Sequence, residues 1–255
     1  NVMIRVARSG EVLVNVIFGE KNDLAISNVV HALQEKFPAI TSLHTTINTK
    51  LNDTIYDVDV QHQFGKDHIR ESLEDFTFKI SPKSFFQTNT YQAEKLYQIT
   101  RDFAGGTGNE TLYDLYCGTG SIGIFLSKQV TKIIGVESVE DAIRDAKENA
   151  AFNNVANATF FAGDVLKICD DDFFHQHGKP DIIVLDPPRA GCHEKLLQKL
   201  LGIQAKRIVY VSCNPATQAR DLQILSQKYV ITKSQAVDMF PHTHHIENVV
   251  QLNLI

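Results

Sequence analysis

The stretch Thr111 to Gly123, TLYDLYCGTGSIG, decides how the rest of the chain is read. Its first half is rich in apolar, aromatic and β-branched residues and predicts a strand over Thr111 to Tyr116. Gly118, Gly120 and Gly123 then give a G-x-G-x-x-G turn into a helix, where backbone without side chains approaches a nucleotide closely. A second strand, Lys132 to Glu137, ends on an acid that can accept both ribose hydroxyls of an adenosine. NAD sites and S-adenosylmethionine sites share this logic. Asp114 separates them, because an acid beside the turn repels a pyrophosphate and suits a cationic ligand such as the sulfonium and amino-acid end of a methyl donor. The methyl donor is favoured, with NAD as the weaker alternative.

Outward from this turn the pattern is strand and helix in alternation. Glu140 to Asn149 is a helix former, and Ala158 to Phe161 is a strand ending at Gly163-Asp164. Asp181 to Leu185 is a strand ending at Asp186-Pro187-Pro188-Arg189-Ala190-Gly191, and Ile208 to Val211 is a fifth strand. Strands over Tyr229 to Val237 and Asn248 to Leu254 close the chain. The prediction is an α/β fold whose parallel sheet has helices on both faces. Residues 1–80 read as a smaller α/β unit, with strands at Val12 to Phe18 and Leu43 to Ile47 and a helix over Ala25 to Phe37. Asn48 to Asp53 and Gly65 to Asp75 read as connections, and the boundary is expected near Ser81-Pro82. Thr90 is placed to cap a helix through Ala93, Leu96 and Tyr97. Phe85-Phe86-Gln87 precedes that helix, either as core packing or as an aromatic and an amide facing a ligand.

The 255 residues are 43% hydrophobic and 22% charged, within the range of ordinary globular proteins. No apolar run approaches a membrane span, no signal peptide is visible, and a cytoplasmic monomer is the expectation. Asn1 rather than Met opens the chain, so a fragment of a longer protein is expected. The net charge of −5 argues against a polyanion partner unless basic residues gather locally. Cys117, Cys169, Cys192 and Cys213 are too far apart for a zinc ribbon or a disulfide framework, so reduced thiols are expected.

One of these thiols has a distinctive setting. Ile208 to Val211 runs into Ser212-Cys213-Asn214-Pro215, where Pro215 suits the first turn of a following helix and fixes Cys213 on a tight bend. A buried structural thiol is the bland reading of a lone cysteine. The alternative is a nucleophile, whose attack at carbon 6 of a pyrimidine makes carbon 5 able to take a methyl group. Such an enzyme needs a base for the carbon 5 proton, and Glu247 at the start of the final strand supplies one. Pro187 and Pro188 hold Asp186 rigidly at a strand tip. Arg189 stands where enzymes methylating exocyclic amines often carry an aromatic, which disfavours that chemistry. His242, His244 and His245 lack partners at metal-ligand spacing and read as a solvated loop.

Together FFQTN, DLYCGTGSIG, GVE at 135 to 137, DPPRAG, SCNPAT and FPHTHHIE resemble the RNA (uracil-5-)-methyltransferase family, in the same order over residues 81 to 255. The resemblance implies a class I, Rossmann-like methyltransferase fold with a seven-stranded sheet. It implies Cys213 as nucleophile and Glu247 as base, with S-adenosylmethionine held by Gln87, Tyr116, Ser121, Glu137, Asp164 and Asp186 alongside the backbone at Gly118. Phe85 and Asp186 would face the uracil, and residues 1–80 would help to grip RNA. FFQTN resembles the branch acting on 23S ribosomal RNA, because the tRNA branch commonly has proline after the glutamine and Thr88 stands there. Many members also begin with an oligonucleotide-binding barrel, and some hold an iron–sulfur cluster on a cysteine group. This sequence has no counterpart of either, so neither a metal nor a cluster is expected in the chain.

Overall fold

The computed structural model of the chain describes residues 1–255 apart from positions 53 and 56. The described residues fall into two compact units, Asn1–Thr90 and Tyr91–Ile255. The expected connection Asn48 to Asp53 ends on a position outside the described residues.

In the first unit β1 (Val2–Val6) runs antiparallel to β2 (Val12–Phe18). α1 (Asp23–Lys36) then carries the chain to β3 (Ser42–Ile47), parallel to β2, and β4 (Val60–Gly65) returns antiparallel. α1 starts because Asn22 is extended and its side chain accepts the Ala25 N–H at 3.0 Å. Val30 and Leu33 of this helix pack on Val14, Val16, Ile40 and Leu43. The other pleat of β2 and β3 buries Asn15, Ser42, His44 and Thr46; Thr46 donates to Asn15 Oδ1 at 3.0 Å and Ser42 Oγ meets His44 Nε2 at 2.8 Å. A hairpin of β5 (Ile69–Leu73) and β6 (Phe76–Ile80) follows. Reading Gly65 to Asp75 as a connection is therefore corrected. Ile69, Glu71 and Leu73 are buried while Arg70 and Ser72 are exposed, a period of two that the charges disguise.

α2 (Thr90–Ala104) begins on the last residue of the first unit. Thr90 is the first helical residue, and its hydroxyl donates to Glu71 Oε2 at 2.8 Å. The second unit continues as β7 (Thr111–Leu115), α3 (Ser121–Leu126), β8 (Lys132–Glu137), α4 (Glu140–Phe152) and β9 (Ala158–Ala162). After it come α5 (Val165–Ile168), α6 (Asp171–His177), β10 (Ile182–Leu185), α7 (Glu194–Ile203) and β11 (Arg207–Ser212). α8 (Pro215–Leu225), β12 (Tyr229–Val237) and β13 (Glu247–Leu254) complete it. These strands form one seven-stranded sheet in the order β12-β13-β11-β10-β7-β8-β9. Five are parallel, but β13 is antiparallel to both β11 and β12, so the sheet is mixed rather than wholly parallel. A loop suffices between β12 and β13, where a parallel pair would need a crossover.

On one face Tyr113, Leu115, Ile134, Val136, Ile183, Leu185, Ile208 and Tyr210 join Leu196, Leu197 and Leu200 of α7 in the main core. The other face carries Asp114, which lies against Gly123 of α3. Register sets the functional end. Leu185 pairs with Leu115 on one side and Tyr210 on the other, and Leu115 pairs with Val136, so the carboxyl ends of four parallel strands lie level. In open α/β sheets that end forms the ligand crevice. β13 runs the opposite way and therefore starts there.

Candidate active site

The glycine turn is more sharply bent than its sequence suggests. β7 stops at Leu115, and Tyr116 adopts φ +66°, a left-handed conformation unusual for a bulky residue. The expectation of Tyr116 inside the strand is corrected accordingly. The Tyr116 and Cys117 N–H groups both donate to Val136 O, at 2.9 and 3.2 Å, which pins the bend to β8. Gly120 follows at φ +75°, where an added Cβ would stand 2.9 Å from the Phe160 ring. Beside Gly118 there is open space.

α3 has no side-chain cap at Gly120; Asp114 reaches across from β7 and accepts the Gly123 N–H at 2.8 Å. Asp114 is 0% exposed and its Oδ1 has no hydrogen-bond partner. Burial pushes its pKa up to about 7, with the Gly123 N–H opposing the shift and Asp186 and Glu137 adding to it. Glu137 accepts the Gly118 N–H at 3.3 Å, the Ser138 hydroxyl at 2.9 Å and the Val139 N–H at 3.0 Å, so it braces the turn from the tip of β8. Asp164 is exposed and caps α5 by accepting the Leu166 N–H at 2.8 Å. Ser121 Oγ lies 2.8 Å from the Tyr97 hydroxyl, a partner the sequence reading treated as a helix residue without a role at the site.

Cys213 follows the tip of β11. Asn214 is extended, its side chain accepts the Ala216 N–H at 3.2 Å, and Pro215 opens α8. Asn214 Nδ2 and the Thr217 hydroxyl both donate to Arg189 O at 3.2 Å, tying the loop after β11 to the loop after β10. Deeper still, Asp221 of α8 is 0% exposed and accepts from the Cys192 N–H at 2.7 Å, the Tyr210 hydroxyl at 2.6 Å and Arg220 Nε at 2.9 Å. Sequence reasoning missed this anchor because its partners come from three separate elements.

Of the four cysteines, Cys117, Cys169 and Cys192 are buried and Cys213 is half-buried. Ser212 pairs with Asn248 and Val237 with Glu247, so continuing the register sets Cys213 opposite Glu247. Burial raises the Cys213 thiol pKa, Glu247 and Asp186 raise it further, and Arg189 opposes them. Burial pushes Asp186 up to about 7, and burial together with Asp186 does the same to Glu247, which is 8% exposed. Three carboxyls of one site thus titrate near neutrality, a condition for proton abstraction at that pH. The carboxyls at the strand tips and the open backbone at Gly118 fit a cationic nucleoside ligand and oppose a pyrophosphate, whereas Asp114, fully buried against Gly123, braces the turn from inside rather than facing a ligand as its place in the sequence suggested.

The His244 and His245 rings lie tilted to each other with their centres 4.2 Å apart, and His245 Nδ1 lies 3.4 Å from Arg189 Nη1. Among the described residues no group of three or more His, Cys, Asp or Glu side chains could hold a metal. Phe85, Phe86 and Gln87 belong to the first unit. The aromatic pair divides: Phe86 is 6% exposed and packs on Phe78 at 5.6 Å, whereas Phe85 is 62% exposed and Gln87 half-buried.

Comparison with known proteins identifies the family and the fold. A family model described as tRNA (uracil-5-)-methyltransferase matches residues 5–255. A Bacteroides thetaiotaomicron protein described as an uncharacterized RNA methyltransferase is 52% identical over 100% of this chain and 57% of its own length. A Clostridium tetani protein with the same description is 43% identical over 99% of this chain and 55% of its own. The chain thus spans little more than half the length of these relatives. Among solved structures, the Pyrococcus abyssi tRNA (uracil-54, C5)-methyltransferase in complex with S-adenosyl-L-homocysteine superposes with a TM-score of 0.82 at 36% identity, over 98% of this chain and 58% of that one. The M. jannaschii tRNA m1G37 methyltransferase, 11% identical with a TM-score of 0.62 over 99% of this chain and 74% of that one, shares the fold.

Proposed function

The chain belongs to the tRNA (uracil-5-)-methyltransferase family, and we propose that it methylates carbon 5 of uridine in 23S ribosomal RNA, using S-adenosylmethionine, as a cytoplasmic monomer. The observation that carries the reading is Cys213, the cysteine of the four that is not buried, facing Glu247 and Asp186 at the strand tips. When bound, S-adenosylmethionine supplies an electrophilic methyl group. Cys213, once its proton has gone to solvent, bonds through Sγ to carbon 6 of the uracil and drives the ring's electron pair to carbon 5, which takes the methyl. Glu247 then accepts the carbon 5 proton; the freed pair restores the ring double bond and Cys213 departs as thiolate.

The raised thiol pKa keeps Cys213 protonated at neutral pH, with Arg189 as the cation that favours its thiolate. Tyr116, Gly118, Ser121, Glu137, Asp164 and Asp186 hold the methyl donor, and Asp186 also faces the base. Gln87 and Phe85, and an RNA-gripping role for the first unit, rest on the family resemblance. The target base must leave its stack to reach the strand tips.

A second reading, the same reaction on tRNA, is favoured by the family's description and by the Pyrococcus abyssi enzyme, which acts on tRNA uracil-54. Thr88 after Gln87 favours the ribosomal branch. Methyl-labelled S-adenosylmethionine incubated with unmodified 23S ribosomal RNA and with unmodified tRNA decides between them. Label appearing as 5-methyluridine in the 23S RNA is the expected result. Label in tRNA alone would replace the substrate, and label in neither would remove the reading.

A further inference from the structure

We propose that Tyr97 is a positioning residue of the methyl-donor site, fixing the Ser121 hydroxyl so that its proton points at an oxygen of the donor's amino-acid end. This rests on the methyl-donor reading above. Tyr97 lies on α2 between Ala93, Leu96 and Thr100, all buried, and is itself 3% exposed. Its ring meets Phe125 edge-on at 5.7 Å, which fixes the ring plane from α3. Its hydroxyl stands 2.8 Å from Ser121 Oγ, on the first residue of α3 and directly after the Gly118–Gly120 turn.

The direction of that hydrogen bond follows from the surroundings. Burial, and after it Asp186, Asp114 and Glu247, keep the Tyr97 phenol protonated. That proton is shut away from water at 3% exposure and needs an acceptor; among the described residues Ser121 Oγ at 2.8 Å is the one at hydrogen-bond distance, so we assign Tyr97 as the donor. Ser121 Oγ is then the acceptor. A hydroxyl carries one proton, and a Ser121 that accepts from Tyr97 keeps its own proton for an outside acceptor. Ser121 is half-buried whereas the following five residues of α3 are buried, so its hydroxyl is the exposed end of the pair. Tyr97 thus acts on the donor through Ser121, without touching it.

The test is a double-mutant cycle on the full chain, with S-adenosylhomocysteine binding measured by calorimetry for wild type, Tyr97→Phe, Ser121→Ala and the double variant. Phe keeps the ring contact with Phe125, and thermal melts check that each variant folds. Tyr97→Phe is expected to weaken binding by about 3- to 10-fold, the size of one neutral hydrogen bond. The double variant should be no worse than Ser121→Ala alone, and in turnover the Tyr97→Phe effect should fall on KM for S-adenosylmethionine rather than on kcat. Wild-type binding by Tyr97→Phe, or effects that multiply in the double variant, would overturn the inference while leaving the methyl-donor reading intact. No binding by the wild-type protein would overturn both.

Discussion

Two loops leave neighbouring strand tips of the second unit, each carries a cysteine, and their thiols live in opposite surroundings. Cys192, after β10, is 4% exposed; burial pushes its thiol up to about 12, and its backbone N–H is held by Asp221. Cys213, after β11, is half-buried and lies among Glu247, Asp186 and Arg189. Neither thiol has a lowered pKa. Acidity therefore does not distinguish nucleophile from structural thiol in this protein; access, and a carboxyl placed to receive a proton, do so. The two loops still depend on each other, because Asn214 and Thr217 of one hold the Arg189 carbonyl of the other.

Removing the reactive thiol should have the largest effect. Cys213→Ala is expected to lower methyl transfer by about 10³-fold or more with S-adenosylmethionine binding retained, measured by label incorporation and calorimetry. Substantial turnover would collapse the distinction between the two loops. Glu247→Gln comes next, with a loss of about 10²- to 10⁴-fold and accumulation of a protein–RNA adduct on denaturing gels. The same base sets a pH profile. Glu247 works ionised and burial raises its pKa to about 7 in the free protein, so kcat/KM should fall as pH drops through that value, and the Gln variant should lose that limb.

Asp186→Asn sharpens the contrast through stability. A carboxyl raised from 3.8 to about 7 binds more protons folded than unfolded, so its contribution to stability declines as pH rises from about 4 towards 7. At pH 8 the variant should melt higher than wild type, by about 1–2 kcal/mol or roughly 2–8 °C, while losing activity. At pH 4 the difference should vanish in a calorimetric melt. Cys192→Ala should change least: turnover within about twofold of wild type, and stability lower by about 1 kcal/mol through lost packing, read in a urea titration.

Much of this was legible in the sequence because its signals are local. Pro215 at a helix start and Asp186-Pro187-Pro188 at a strand end each fix a bend by their own covalent geometry, and the strands of the second unit announce themselves by apolar runs. What escaped depends on long-range company. Tyr97 looks like any aromatic on a helix face until α3 brings Ser121 to its hydroxyl. Asp221 looks like a surface acid of α8 until Tyr210 and Cys192 converge on it. β5 was hidden by charges such as Glu71, which is buried with its carboxylate accepting from the Arg8 N–H at 3.2 Å to each oxygen, the Ser72 N–H at 3.0 Å and the Thr90 hydroxyl at 2.8 Å. The antiparallel course of β13 left no mark in its own residues, although it is what brings Glu247 to the site.

The central claim, that Cys213 rather than any other thiol attacks the base, is tested most directly by mixing the protein with S-adenosylmethionine and 5-fluorouridine-substituted RNA and running a denaturing gel. Fluorine at carbon 5 cannot leave as a proton, so the adduct cannot resolve. A slow-moving protein–RNA band in the wild type and in Cys192→Ala, absent in Cys213→Ala, is the expected result. A band that survives Cys213→Ala, or no band from wild-type protein that methylates ordinary uridine in the same RNA, would contradict the account.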